Sequence, residues 1–125
     1  GTWCVVAINP QIICNGKCLF FSENAASSKW RGRSPFSLQQ KESFEEMFYE
    51  IDGKPTRATS GLPIGCPTNP QAEIIHVGPI RRDDFMGITF ENELAMKEWE
   101  PRCNGIGCAV VNGFFKPRKD FQHWR

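Results

Sequence analysis

Short apolar runs separated by turn residues recur along this sequence, and they predict a fold that consists mainly of short β-strands. Each run is bounded by Gly, Pro, Asn or Ser, which is the usual punctuation of strands. The four strongest strand candidates are residues 3–8, 18–22, 74–77 and 86–90. The pair Asn15-Gly16 stands before the second of them and favours a β-hairpin turn at that point.

Helical periodicity is strongest in residues 37–51, where apolar side chains recur every three or four positions with glutamates between them. Residues 91–99 predict a second, shorter helix, and residues 81–85 predict one helical turn. Short strands combined with one or two helices are typical of an α+β fold with mostly antiparallel sheets.

A long loop precedes the third strand. Residues 52–70 are rich in Gly, Pro, Thr and Ser, and a loop of this length inside a compact domain is more often functional than decorative. It leads the chain directly to a glutamate at the start of the next strand. The junction between this loop and the strand is therefore a candidate functional position.

Glu73 has an unexpected position on this strand. With a period of two, it points to the same side as Ile75 and Val77. A carboxylate on an apolar face is costly to bury unless it has a partner or faces a cleft, so it indicates a site. The alternative is that Glu73 occupies a solvated first position and caps the loop. Gln71, on the same face, could hold the carboxylate or a ligand hydroxyl.

Composition restricts the class of protein. At 125 residues the chain is long enough for one domain, residues 1–125, with a single core. Its 15 basic and 14 acidic residues give a net charge of +1, which neither requires nor excludes a nucleic-acid partner. No apolar run is long enough to span a membrane. We expect a soluble, cytoplasmic protein without a membrane partner.

Six cysteines allow three interpretations. Several lie in apolar runs, where a reduced thiol behaves as a small hydrophobic side chain, and this interpretation is favoured. A secreted disulfide framework is the second. The third is a zinc site, but the spacing of Cys14 with Cys18 and of Cys103 with Cys108 is loose even with His76 or His123 added. We predict no metal.

Two segments, residues 29–33 and 114–125, interleave aromatic and basic side chains. This combination suits single-stranded nucleic acid, because bases stack on rings while phosphates meet cations. The alternative is a core aromatic cluster with solvated charges beside it. The candidate nucleic-acid-binding residues are Trp30, Arg31, Arg33, Lys116, Arg118 and Lys119.

Two longer motifs, GKCLFFSENAASS at residues 16–28 and PTNPQAEIIHVGPI at residues 67–80, resemble the later half of the DarT family. The ending FFKPRKDFQHW, residues 114–124, resembles the close of one branch of that family. The resemblance implies an ADP-ribosyltransferase-like fold and an enzyme that transfers ADP-ribose from its substrate NAD to a base in single-stranded DNA. It also implies a toxin or anti-phage effector whose mark a macrodomain antitoxin removes.

Carried over by motif, Glu73 matches the family's catalytic glutamate, and a fixed carboxylate there would stabilise an oxocarbenium-like sugar and help to deprotonate the attacking base. Gln71 and Ala72 match its supporting residues. The positions that match the earlier turn, and that we expect to shape the NAD or DNA site, are Phe21, Ser22, Asn24 and Ala25.

The sequence departs from the family in one respect. No stretch matches the histidine, arginine and tyrosine with which the family grips NAD in an amino-terminal part, so we expect that part to be missing from this chain. It could be truncated, supplied by another chain, or dispensable to a fold without activity. The competing hypothesis is accordingly a non-catalytic module that binds nucleic acid or protein.

Overall fold

The structure is a computed structural model that describes residues 3–116 and 118–124. The strands of this part are β1 (Cys4–Ile8), β2 (Cys18–Phe21), β3 (Glu73–His76), β4 (Phe85–Phe90) and β5 (Val110–Phe114). The helices are α1 (Pro35–Leu38), α2 (Lys41–Glu46) and α3 (Glu93–Gly105), with 3₁₀ helices at Pro10–Cys14, Ser28–Trp30, Arg82–Asp84 and Phe121–Trp124. The predicted α+β class is confirmed.

The chain divides into two compact units. The first comprises the described residues of Gly1–Ile12 and Pro79–Pro117, and the second those of Ile13–Gly78 and Arg118–Arg125. Two positions of the aromatic and basic ending, Pro117 and Arg125, lie outside the described residues.

The first unit contains a three-stranded sheet in the order β1-β4-β5. The central strand β4 is antiparallel to β1 and parallel to β5. Helix α3 joins β4 to β5, and it begins where the Asn92 side chain accepts a hydrogen bond from the Ala95 N–H at 2.9 Å. Its inner face packs Ala95 and Cys103 against Ile88 and Phe90 of β4.

Gly87 is the position in this sheet where a side chain has no room. A Cβ added there would lie 2.5 Å from Cγ2 of Val111 and 3.3 Å from the Ala109 carbonyl oxygen. We expect Gly87→Ala to lower the free energy of unfolding by about 1–3 kcal/mol, because the strands must shift to admit the methyl group. Urea denaturation tests this, with Gly113→Ala as the control, since nothing lies within 4 Å of a Cβ at that strand position.

The second unit is built around β2, which pairs with β3 in a two-stranded antiparallel sheet. Strand β2 is buried on both faces. Phe20 packs with Met47 at the end of α2, whereas Phe21 packs with Trp30 and Leu38 on the opposite face. The strand therefore forms the core of this unit, and β3 is attached along its edge.

Two local predictions need correction. The helix predicted over residues 37–51 is two short helices, because Ser34 caps an earlier start at Pro35 and Gln40 is extended, with ψ of 155°, between α1 and α2. The pair Asn15-Gly16 does form a turn, with Gly16 at a φ of +74°, but it joins a 3₁₀ helix to β2 and not one strand to another.

None of the helices formed by residues 3–116 and 118–124 has the length and apolar content needed to cross a membrane.

The long loop is confirmed: neither helix nor strand is assigned between residues 52 and 70. A single side chain ties much of it together, because the Arg57 guanidinium donates to the carbonyl oxygens of Pro63 and Cys66 at 3.0 and 2.6 Å.

Candidate functional site

The structure brings the two long sequence motifs together. Glu73 is the first residue of β3 and lies opposite Phe21, the last residue of β2. Its carboxylate oxygen Oε2 accepts a hydrogen bond from the backbone N–H of Ala25 at 3.1 Å. This carboxylate therefore adds a side-chain contact between the two motifs to the pairing of β2 with β3.

The apolar face assumed for β3 is not buried, which corrects the physical premise for Glu73. Ile74 and Ile75 are each 42% exposed and Val77 is 54% exposed, whereas Glu73 is half-buried. The reason is that β3 is one of only two strands in its sheet and has no layer of its own to cover it. The carboxylate is more enclosed than its aliphatic neighbours because the turn at Ala25 folds over it.

A polar cavity of about 300 Å³ lies in the second unit, and it contains two of the predicted site residues, Asn24 and Gln71. Its full lining is Glu23, Asn24, Ser27, Ile51, Lys54, Asn69, Gln71 and Trp124. Such a volume is at the low end for small-molecule pockets. The lining offers amides, a carboxylate, an ammonium group and an indole ring, which are groups that bind sugars and bases.

Local hydrogen bonds fix the amides of this lining. Asn24 Oδ1 accepts the Ala26 N–H at 2.8 Å, and Asn69 Oδ1 accepts the Gln71 N–H at 2.9 Å. Each of these hydrogen bonds closes a turn through an asparagine side chain, a conformation that this residue favours. The first turn leads away from β2 and the second leads into Glu73, so each motif places one asparagine beside the cavity.

Glu73 is not part of this lining, although Gln71, two residues earlier, is. In the structure its carboxylate faces the Ala25 N–H, on the turn whose other residues form the cavity wall. Gln71 thus lies at the cavity wall, and Glu73 is hydrogen-bonded to the turn that forms part of that wall.

Six of the lining residues were not predicted as site residues from the sequence, and three of these, Glu23, Lys54 and Trp124, carry a charge or an aromatic ring. Lys54 donates to the His123 carbonyl oxygen at 3.0 Å and lies 5.5 Å from the centre of the Trp124 ring. Lys54 comes from the long loop and Trp124 from the carboxyl-terminal 3₁₀ helix, whereas Glu23 precedes Asn24 in the turn after β2. In the sequence, only the length of the long loop indicated a functional role, and that length does not identify which of its residues would line a site.

Trp30 belongs to the core, which corrects its assignment to a base-stacking surface. The ring is only 7% exposed and packs edge-on against Phe21 with 5.3 Å between ring centres. Its indole N–H donates to the Asn24 carbonyl oxygen at 3.1 Å. Phe21 and Ser22 are also buried, so these residues support the Asn24 turn from behind.

Arg118 is likewise an internal anchor and not a free phosphate-binding group. Its guanidinium donates to the carbonyl oxygens of Pro67 and Thr68 at 2.6 and 2.9 Å. It also forms an ion pair with the buried Asp120 at 2.6 Å. These bonds hold the start of the segment that leads to Glu73.

The other predicted cations remain at the surface. The side chains of Arg31 and Lys119 are exposed, and within the described ranges neither has a hydrogen-bond or ion-pair partner. Arg33 is exposed but lies 3.6 Å from Glu46 and over the Trp30 ring. Lys116 is exposed in the first unit. Arg31 and Lys119 are the candidates that can still contact phosphate in the second unit.

Asp120 predicts an acid sensitivity. Hydrogen bonds from Arg118, followed by the charge of Arg118 and a bond from Trp124, hold the pKa of this carboxyl below its ordinary value of 3.8. A lowered pKa in the folded state contributes stability above the unfolded-state pKa, and that stability is lost as the pH falls through the folded-state value. We expect the melting temperature to drop below about pH 4 more steeply in the wild type than in Asp120→Asn. Parallel slopes would contradict this.

Thiols and histidines do not assemble a metal centre in the part of the chain that the structure describes, where no group of three or more potential ligands could hold a metal ion. Cys18 and Cys103 are buried, and burial raises the pKa of both thiols. His76 is held by Asn15 Nδ2 and the Gly78 carbonyl oxygen, each at 3.1 Å. Cys18, Cys103 and His76 are thus packed or hydrogen-bonded within the fold.

Comparison with models of known protein families finds no match for this chain, and a search of curated proteins finds none either. The assignment of a function therefore rests on the site itself and on the motifs that resemble the DarT family.

Proposed function

We propose that this chain is a DarT-like ADP-ribosyltransferase domain that transfers ADP-ribose from NAD to a base in single-stranded DNA, with Glu73 as its catalytic carboxylate. The observation that carries the proposal is the hydrogen bond between Glu73 Oε2 and the Ala25 N–H. This bond joins the two motifs that carry the resemblance, beside a cavity lined by Asn24 and Gln71 from the same two motifs.

The chemistry requires one negative charge in a fixed place. The bond between nicotinamide and ribose breaks, and its electron pair leaves with nicotinamide, so the sugar becomes an oxocarbenium-like cation. A carboxylate held by a backbone N–H is preorganised to stabilise that cation. The attacking atom of the base then bonds to the sugar carbon, and Glu73 accepts the proton that the base loses.

Gln71 and Asn24 would orient the substrate. Their side chains line the cavity, and amide groups can both donate to and accept from ribose hydroxyls. The cavity has a volume of about 300 Å³, at the low end for small-molecule pockets, so in this proposal it would take the reacting nucleoside and not the whole dinucleotide.

Arg31 and Lys119 are the residues that we propose for the DNA backbone, because they are exposed and unpaired within the described segments. Their contribution would be electrostatic and sensitive to salt. An ADP-ribosyltransferase-like fold, a role as a toxin and reversal by a macrodomain antitoxin follow from the same proposal.

A non-catalytic module is the second candidate. It is favoured by the structural role of Glu73, whose carboxylate already fixes the Ala25 turn. In such a module the carboxylate would be architectural and the cations would bind nucleic acid without any transfer.

Labelled NAD and short single-stranded oligonucleotides of mixed sequence distinguish the two candidates. The transferase leaves label on the DNA after denaturation and gel separation. The module instead retains the DNA without label, and its affinity falls with rising salt. Absence of both label and binding would contradict both candidates.

A further inference from the structure

We propose that the first unit contains a binding site for a small amphipathic carboxylate, with an apolar body in a cavity behind β4 and its carboxylate on Arg82. This site is separate from the proposed transferase chemistry. The cavity has a volume of about 620 Å³ and is lined by Val6, Arg82, Phe85, Ile88, Cys103, Gly105, Ile106, Gly107 and Cys108.

The apolar part of the site is the larger part. Ile88 and Cys103 form its buried base. Val6, Phe85 and Ile106 also line it while remaining exposed, so this unit leaves aliphatic and aromatic surface in water around a concave space. Covering such surface with an apolar ligand is favourable, because it removes that surface from water.

Arg82 gives the cavity its charge. No carboxylate oxygen of the described residues lies within ion-pair distance of its guanidinium, and no hydrogen bond of this group is found there. Asp83 and Asp84 share its 3₁₀ helix but do not line the cavity. A guanidinium presents a planar fork of donors that matches a carboxylate, so charge complementarity selects an anionic end group.

The backbone at the end of α3 leaves room for the Arg82 guanidinium. That helix ends in a Schellman motif, in which the Cys108 N–H donates to the Cys103 carbonyl oxygen and the Gly107 N–H to that of Asn104, each at 2.9 Å. Gly107 has a φ of +69°, and an added Cβ would collide with the Arg82 guanidinium. The glycine therefore provides both the left-handed turn and the room for the cation beside the cavity.

Cys108, the less buried of the two thiols in the lining, allows a direct test of ligand binding. Octanoate should slow the alkylation of Cys108 by iodoacetamide, measured by peptide mass spectrometry on the intact chain. Cys66 is the internal control, since it is also half-buried but lies in the second unit. Octanol, which has the same chain without the charge, should require about tenfold higher concentration for equal protection, because its single hydroxyl forms no bidentate ion pair with the guanidinium.

Arg82→Gln should remove the preference for octanoate over octanol and leave protection by octanol unchanged. Asp83→Asn is the matched control from the same turn and should keep the preference. Equal protection by both compounds in the wild type, absence of protection at Cys108, or equal protection of Cys66 would each overturn the proposal. Retention of the preference in Arg82→Gln would overturn the role of Arg82.

Discussion

Glu73→Gln should reduce the transfer of label from NAD to single-stranded DNA by about 100-fold or more, because the neutral amide neither stabilises the cationic sugar nor accepts a proton. The amide oxygen can still accept the Ala25 N–H that the carboxylate accepts at 3.1 Å. The substitution therefore separates chemistry from architecture. Initial rates of label incorporation, with thermal unfolding of the same samples, provide the measurement.

Two comparison variants make this result specific. Glu42→Gln neutralises an exposed carboxylate of α2 that does not line the cavity, and it should retain transfer within a few-fold. Glu73→Ala should lose transfer and also about 1 kcal/mol of stability, since the Ala25 N–H then has no acceptor. Full transfer by Glu73→Gln would contradict the catalytic role, and an equal loss of transfer in Glu42→Gln would show that the effect is not specific to Glu73.

Arg118→Met should destabilise the second unit by about 3 kcal/mol, which is the larger of the expected stability effects outside the core. The substitution leaves Asp120 buried without its ionic partner, and breaking such a pair from one side is strongly destabilising. It also removes the donors for the Pro67 and Thr68 carbonyl oxygens. Chemical denaturation followed by Trp fluorescence measures the effect.

The neighbouring Lys119→Met is the matched control, because Lys119 is exposed and has no partner among the residues described. It should change the free energy of unfolding by less than about 0.5 kcal/mol. DNA affinity should show the reverse order per folded molecule, with the larger loss in Lys119→Met. Equal stability of the two variants would contradict an anchoring role for Arg118.

The class of fold and most of the strands could be predicted from the sequence, because strands depend on local patterns. The apolar run that becomes β1 is bounded by turn residues, which is a strand pattern. The segment before Glu73 is rich in residues that disfavour helices and strands. The break between α1 and α2 could not be predicted in the same way. It depends on a Ser43 hydroxyl that bonds back to the Ser37 carbonyl oxygen at 2.9 Å, a contact made only after the chain turns.

The candidate site divides in the same manner. Glu73, Gln71 and Asn24 could be named because they lie in contiguous motifs. Lys54 and Trp124 could not, since they reach the cavity from segments 70 residues apart in sequence. Trp30 and Arg118 were misassigned for a related reason. An aromatic or basic residue in a mixed segment looks the same whether it faces solvent or a buried partner, and only tertiary contacts distinguish the two.

Thermal unfolding with NAD tests the central claim most directly. A ligand of the native state raises the melting temperature by mass action. The account predicts a rise of a few degrees at millimolar NAD, retained in Glu73→Gln, whose role is chemical, and reduced in Gln71→Ala, which loses a group from the cavity wall. An unchanged melting temperature of the wild type at that concentration would contradict the claim that this site holds NAD.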